Sequence, residues 1–217
     1  ARGIGGTSMK KANPGVPAGT KSAYASMPEQ PEYGTSHLSI VDADGNVLAL
    51  PTPFEAVFGA RLFVRGFLLN NHLTDFSFTP RDDDGRPVAN RVEPGKRPRS
   101  SMSPILVSDK ASGQVLITGG SPGGSLIIHY TAKTLYGMLN WGLDAQRAID
   151  LPNFGSLNGP TLLEEKRFPA ATLDALKRRG HDLREVSLPS GLHFIERTRD
   201  GWFGGADPRR EGDVKGN

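Results

Sequence analysis

Residues 115–141, VLITGGSPGGSLIIHYTAKTLYGMLNW, decide the fold. Val115-Leu116-Ile117-Thr118 is a short β-branched run of strand length. Gly119-Gly120-Ser121-Pro122-Gly123-Gly124-Ser125 breaks it with a glycine-rich loop. The apolar run from Leu126 to Trp141 holds about four turns of helix. It is apolar on most faces, which predicts a buried helix. Upstream, Ile105-Leu106-Val107 pairs with the strand as a hairpin through Lys110 to Gly113. Downstream, Ala145 to Ile149 reads as a shorter helix, and Pro169 to Arg179 as an amphipathic one. In the latter, Leu173 and Leu176 turn inward, Lys177 to Arg179 occupy the last turn, and Gly180 ends it. A last hairpin runs Leu192–Arg197 and Trp202–Gly205 around Asp200-Gly201. An earlier one pairs His37–Val41 with Val47–Leu50 around Asp44-Gly45-Asn46. Pro51 and Pro53 end its second strand or put it at an edge. A further apolar run, Arg61 to Asn70, closes on Phe67-Leu68-Leu69. Hairpin-linked strands with grouped helices argue for an α+β fold with mostly antiparallel sheets, not for a succession of β-α-β units.

Composition narrows the function. The chain has 217 residues, with 26 Lys plus Arg against 23 Asp plus Glu, a net charge of only +3. So small an excess argues against a nucleic-acid partner. The absence of cysteine excludes disulfides, thiolate catalysis and sulfur-ligated zinc. No stretch reaches the roughly 18 apolar residues of a membrane span. Residues 1–34 hold few large aliphatic side chains and read as a linker-like tail to something else. Asp82-Asp83-Asp84-Gly85 and the cluster Lys96, Arg97 and Arg99 read as solvated loop surface, and the segment from Ser77 to Pro94 as a candidate lid.

Three readings compete for the glycine loop. A phosphate loop fails for want of a Gly-Lys-Ser/Thr ending. A serine-hydrolase elbow matches Gly119–Gly123 by letter, but the residue after Ser121 is Pro122, which has no N–H to serve as an oxyanion donor. The third reading makes Gly123 and Gly124 the N–H donors, at the start of a helix whose partial positive charge adds to them. A tight strand-to-helix turn with no ligand stands beside all three. The histidines His37, His72, His129, His181 and His193 show no i,i+4 metal spacing and read as structural. Ser100-Ser101 offers two hydroxyls after a basic stretch. Gly34-Thr35-Ser36-His37 stands where the tail meets the first strand. A Thr acts as a nucleophile when its own α-amine is the base, which requires a cut before Thr35. Such an amine, with a pKa of about 7.7–8.0, accepts the hydroxyl proton near neutrality.

Seven segments taken in order make a pattern: Thr35-Ser36-His37, Asp42 to Asn46, Phe58-Gly59, Leu68 to Asn71 with Thr74-Asp75-Phe76, Lys96 to Pro104, Gly120 to Ser125, and Gly205 to Arg209. Together they resemble the small subunit of the gamma-glutamyltransferase family, including its cephalosporin-acylase-like branch, over about residues 35–210. The resemblance implies an N-terminal-nucleophile hydrolase with an αββα sandwich, made from a precursor that cuts itself at Gly34–Thr35. Residues 1–34 would then end the large subunit, the heterodimer partner, and 35–217 would form the small-subunit catalytic domain. By the same match Thr35 is the nucleophile and Gly123 and Gly124 stabilise the oxyanion. Ser100 and Ser101 hold the α-carboxylate of a γ-glutamyl group, as in glutathione, and Asp75 pairs with its α-ammonium. The resemblance calls for no cofactor or metal, and implies a periplasmic or extracellular setting.

The sequence departs from the family pattern at three places. Pro53, with no hydroxyl and no N–H, stands where the family often has a second Thr supporting the nucleophile, and Glu55 where an Asn often follows two residues later, as in the acylase-like branch. His72 occupies the Gln or Glu position after the Asn pair. These changes keep two other readings open: a cephalosporin-acylase-like amide hydrolase, and a folded but catalytically impaired member.

Overall fold

A computed structural model describes residues 18–19, 23–28, 34–56 and 58–216. Most of the segment read as a tail lies outside the described residues. The chain opens on a two-stranded sheet of β1 (Gly34–Val41) and β2 (Val47–Glu55). Strand β2 runs through Pro51 and Pro53 instead of stopping at Leu50, because its one partner leaves the other edge free of ladder bonds. A small hairpin follows, β3 (Phe63–Val64) with β4 (Phe67–Leu68). Next come β5 (Ile105–Ser108), β6 (Val115–Gly120), α1 (Ile127–Trp141) and α2 (Ala145–Asp150). The chain continues through β7 (Phe154–Gly155), β8 (Thr161–Glu164), α3 (Ala170–Arg178), β9 (Leu183–Val186), β10 (His193–Thr198) and β11 (Gly201–Ala206).

Among the described residues the chain forms two compact units. One holds residues 35–52 and 101–216, the other 18–19, 23–28, 34, 53–56 and 58–100.

In the first unit β11-β10-β6-β5 form an antiparallel sheet, two hairpins joined by pairing of β6 with β10. Helices α1 and α2 pack on each other and on this sheet. The core between them gathers Ile117, Phe194, Tyr130, Met138, Ala148 and Ile149. Glycines set the spacing at two points. The Phe194 ring fills the space a Cβ on Gly119 would need, and a Cβ on Gly205 would come within 2.9 Å of the α2 backbone at Gln146. Helix α1 stops on Gly142 in the left-handed conformation (φ 64°), and Asp144 caps α2 by accepting from the Arg147 N–H at 2.8 Å.

Two features differ from the expectations. Helix α1 is not buried all round, since Ile128, Tyr136, Leu139 and Trp141 are exposed on its outer side. A second sheet, β7-β8-β9, contains a parallel pair, β8 with β9, so β8–α3–β9 is a single β-α-β crossover in an otherwise antiparallel fold. Its strands, at two to four residues, are too short to show a period in the sequence.

In the second unit Val88 is fully buried and bridges to Ala25, while Ser77 bridges to Arg91. The acidic run is a surface turn, as its composition suggests, with Arg86 paired to Asp82 at 2.7 Å. Of the basic cluster Arg97 is exposed, Lys96 pairs with Glu93 at 2.5 Å, and Arg99 is half-buried rather than solvated. Among the described residues no helix is long and apolar enough to cross a membrane.

Candidate active site

The inner face of β1 carries Thr35, His37 and Ser39, which alternate with the exposed Gly34, Ser36 and Ile40. The His37 ring occupies the space in front of Gly120, the last residue of β6. Beside it, the Ser39 hydroxyl donates to the His193 carbonyl at 3.4 Å. Thr35 is half-buried and lies two residues upstream of His37 in β1, whose one partner among the described strands is β2.

That loop is bent by two consecutive positive φ angles, 138° at Gly123 and 58° at Gly124. The Tyr130 ring lies 2.6 Å from where a Gly123 Cβ would stand, so only glycine fits. Gly124 opens the single 3-10 turn Gly124–Leu126 that leads into α1. The first N–H groups of such a helical start have no intrahelical acceptor and carry its partial positive charge. Ser121 is fully engaged elsewhere. It is buried, its hydroxyl donates to the Pro122 carbonyl at 2.7 Å, and it accepts from the Gly191 N–H at 3.2 Å. The serine-elbow reading ends there.

The imidazoles behind Thr35 are poor bases. Burial, with the nearby His193 as the second cause, lowers the His37 pKa to about 4. Burial also holds His193 below the usual imidazole range. The two rings line a cavity of about 180 Å³ with Ser39, Gly205, Val214 and Lys215. Tyr130 is pushed up to about 12 by burial and stays neutral.

The second unit assembles another group. Glu55 ends β2, is buried, and has a φ of 68°. His72 and Asp75 bracket the single 3-10 turn His72–Asp75, with Nδ1 of His72 3.2 Å from Oδ2 of Asp75. One ligand atom from each of Glu55, His72 and Asp75 lies within 4.8 Å of the other two. Asn71 ties these pieces together. Its side-chain oxygen accepts from the Ala56 N–H at 2.9 Å and its own N–H donates to the Phe54 carbonyl at 3.3 Å. The sequence marks Asn71 only as half of an Asn pair before a turn, and its positioning role emerges from the fold. Ser100 is exposed and Ser101 half-buried, with Ser103 donating to the Ser101 carbonyl at 3.1 Å. The two serines straddle the boundary between the units.

The Gly205–Arg209 run has a structural task. Arg209 clasps the Glu164 carboxylate at 2.7 and 2.8 Å and reaches Asp207 at 3.1 Å. It also donates to the Ile149 and Leu151 carbonyls at the end of α2, and Lys133 donates to the same two at 2.9 Å each. Burial lowers the Lys133 pKa to about 7. Asp207 in turn accepts from the Ser190 hydroxyl and the Leu192 N–H.

The sequence profile described as Gamma-glutamyltranspeptidase matches residues 4–217. The chain belongs to this family. It is 35% identical over 189 residues to the glutathione hydrolase proenzyme of Escherichia coli, an alignment covering 83% of this chain and 32% of that protein. The chain therefore spans about a third of the length of that relative. A mutant of Helicobacter pylori gamma-glutamyltranspeptidase superposes with a TM-score of 0.68 at 30% identity, covering 80% of this chain and 99% of that one. The cephalosporin acylase of Bacillus halodurans superposes at 0.67 and 25% identity, over 91% and 37%. The α+β fold with mostly antiparallel sheets is that of the gamma-glutamyltranspeptidase family and its N-terminal-nucleophile hydrolase architecture.

Proposed function

We propose that the protein carrying this chain cleaves γ-glutamyl amides such as glutathione through an acyl-enzyme on Thr35. Residues 1–34 are the end of a large subunit, 35–217 are the small subunit, and the precursor cuts itself between Gly34 and Thr35. The Thr35 hydroxyl oxygen attacks the γ-carbonyl carbon and its proton passes to the Thr35 α-amine. The oxyanion takes the N–H groups of Gly123 and Gly124. The C–N bond then breaks, the leaving amine receives that proton, and an ester remains on Thr35. Water or an acceptor amine attacks the ester, gives its proton to the same α-amine, and the C–O bond breaks to restore the hydroxyl. Ser100 and Ser101 bind the α-carboxylate, and Asp75, with Glu55 and His72, binds the α-ammonium.

The observation that carries this reading is the consecutive pair of positive-φ glycines at the start leading into α1, with His37 of β1 against Gly120 where that loop begins. The test is intact-mass analysis and N-terminal sequencing of the full-length product, with γ-glutamyl-p-nitroanilide as substrate. Two fragments, one starting at Thr35, and loss of both cleavage and nitroaniline release in Thr35→Ala are the expected results. An uncut chain that still hydrolyses the anilide overturns the assignment. Faster cleavage of an acyl amide without an α-ammonium, such as a glutaryl anilide, would move the function to the acylase kind.

A further inference from the structure

The group of Glu55, His72 and Asp75 has a composition that ammonium recognition does not require. An imidazole nitrogen beside two carboxylates is a zinc ligand set. A tetrahedral zinc ion, with bonds of about 2.0–2.2 Å, holds neighbouring ligand atoms about 3.4 Å apart. The His72–Asp75 pair already stands at 3.2 Å, and all three ligand atoms lie within 4.8 Å of one another. His72 Nδ1 is shielded from water and makes no hydrogen bond among the described residues, although it faces the Asp75 carboxylate. An imidazole nitrogen is a donor atom that a zinc ion accepts. Glu55, only 6% exposed, supplies its charge from a low-dielectric position, where attraction to a dication is strong. Asn71 fixes the spacing by joining the end of β2 to the turn that carries the other two ligands.

We propose that Glu55, His72 and Asp75 bind a zinc ion, and that zinc and the α-ammonium of the substrate exclude each other there. The zinc site stands on geometry alone, whereas the competition rests on the γ-glutamyl reading above. With three protein ligands the ion keeps one open position for water. Two cations cannot share the pocket, so zinc acts as a reversible inhibitor that a chelator removes.

The full-length protein, stripped with chelator, is titrated with zinc chloride in equilibrium dialysis, alongside His72→Gln and Glu55→Gln. Saturable zinc uptake by the wild type, weakened at least about tenfold in both variants, is the expected result. No saturable uptake by the wild type overturns the site, as does uptake that neither substitution affects. The competition is read from kinetics with γ-glutamyl-p-nitroanilide, where zinc should raise the apparent KM and leave kcat unchanged. A fall in kcat at constant KM overturns the competition while the dialysis result stands. If the protein shows no γ-glutamyl activity, the dialysis still decides the zinc site, and the failure belongs to the enzymatic reading.

Discussion

Two clusters of charge sit in this chain and do opposite things with it. Around Arg209, a guanidinium meets Glu164 and Asp207, and the remaining N–H groups reach the carbonyls that end α2. The cluster contains its own cation, paired with both carboxylates. Around Glu55, by contrast, the three gathered groups are two carboxylates and an imidazole, none with a permanent positive charge. The first arrangement closes on itself and fastens elements together. The second brings two carboxylates and an imidazole together at the end of β2 and the turn that follows. Charge clustering alone therefore does not mark a site, and the sign balance inside the cluster does.

The sharpest way to break this contrast is Arg209→Met. With the guanidinium gone, Glu164 and Asp207, 11% and 0% exposed, lose their ion-pair partner and Lys133 is left as the cation near them. The expected loss is about 3–5 kcal/mol in urea unfolding. A loss below about 1 kcal/mol would erase the distinction.

The His37 ring tests burial without a matched charge. Its pKa falls from 6.5 unfolded to about 4 folded. The associated stability is fully present above about pH 6.5 and is lost as pH falls through 4, because the unfolded chain binds the proton first. A drop of this size corresponds to about 3 kcal/mol. His37→Asn should flatten that acid limb, and an unchanged limb would assign it to other groups.

Asp75→Asn probes the open cluster. It should lower kcat/KM for a γ-glutamyl substrate roughly tenfold to a hundredfold, the worth of a hydrogen bond to a charged group, while moving stability by under about 0.5 kcal/mol. The opposite pattern, a large unfolding effect with kinetics intact, would make the second cluster structural like the first. At the small end, Asp144→Ala removes only the local cap on α2 and should cost about 1 kcal/mol in the same urea measurement.

The hairpins and the long helix were legible because their signals are local. Asp44-Gly45-Asn46 and Asp200-Gly201 announce turns, and the run after the glycine loop announces a helix. What escaped depends on partners distant in sequence. The exposed side of α1 cannot be told from its buried side when both are apolar. The β8–β9 pairing joins segments some twenty residues apart that are too short to show a period. Of the candidate site, Thr35, Gly123, Gly124 and Asp75 were named from motif order. Glu55 and His72 were named with Asp75 from the same resemblance, but the Asn71 side chain that bonds the Ala56 amide and joins their elements was not.

Arg209 also sets an order of events during synthesis. It holds the Ile149 carbonyl, made sixty residues earlier, and the Glu164 carboxylate, made forty-five earlier. While the ribosome is still short of residue 209, α2 has no guanidinium at its end and Glu164 no counterion. A nascent chain arrested at Ala206 would hold both strands of the last hairpin yet lack this fastening, and would be the form most exposed to proteases and chaperones.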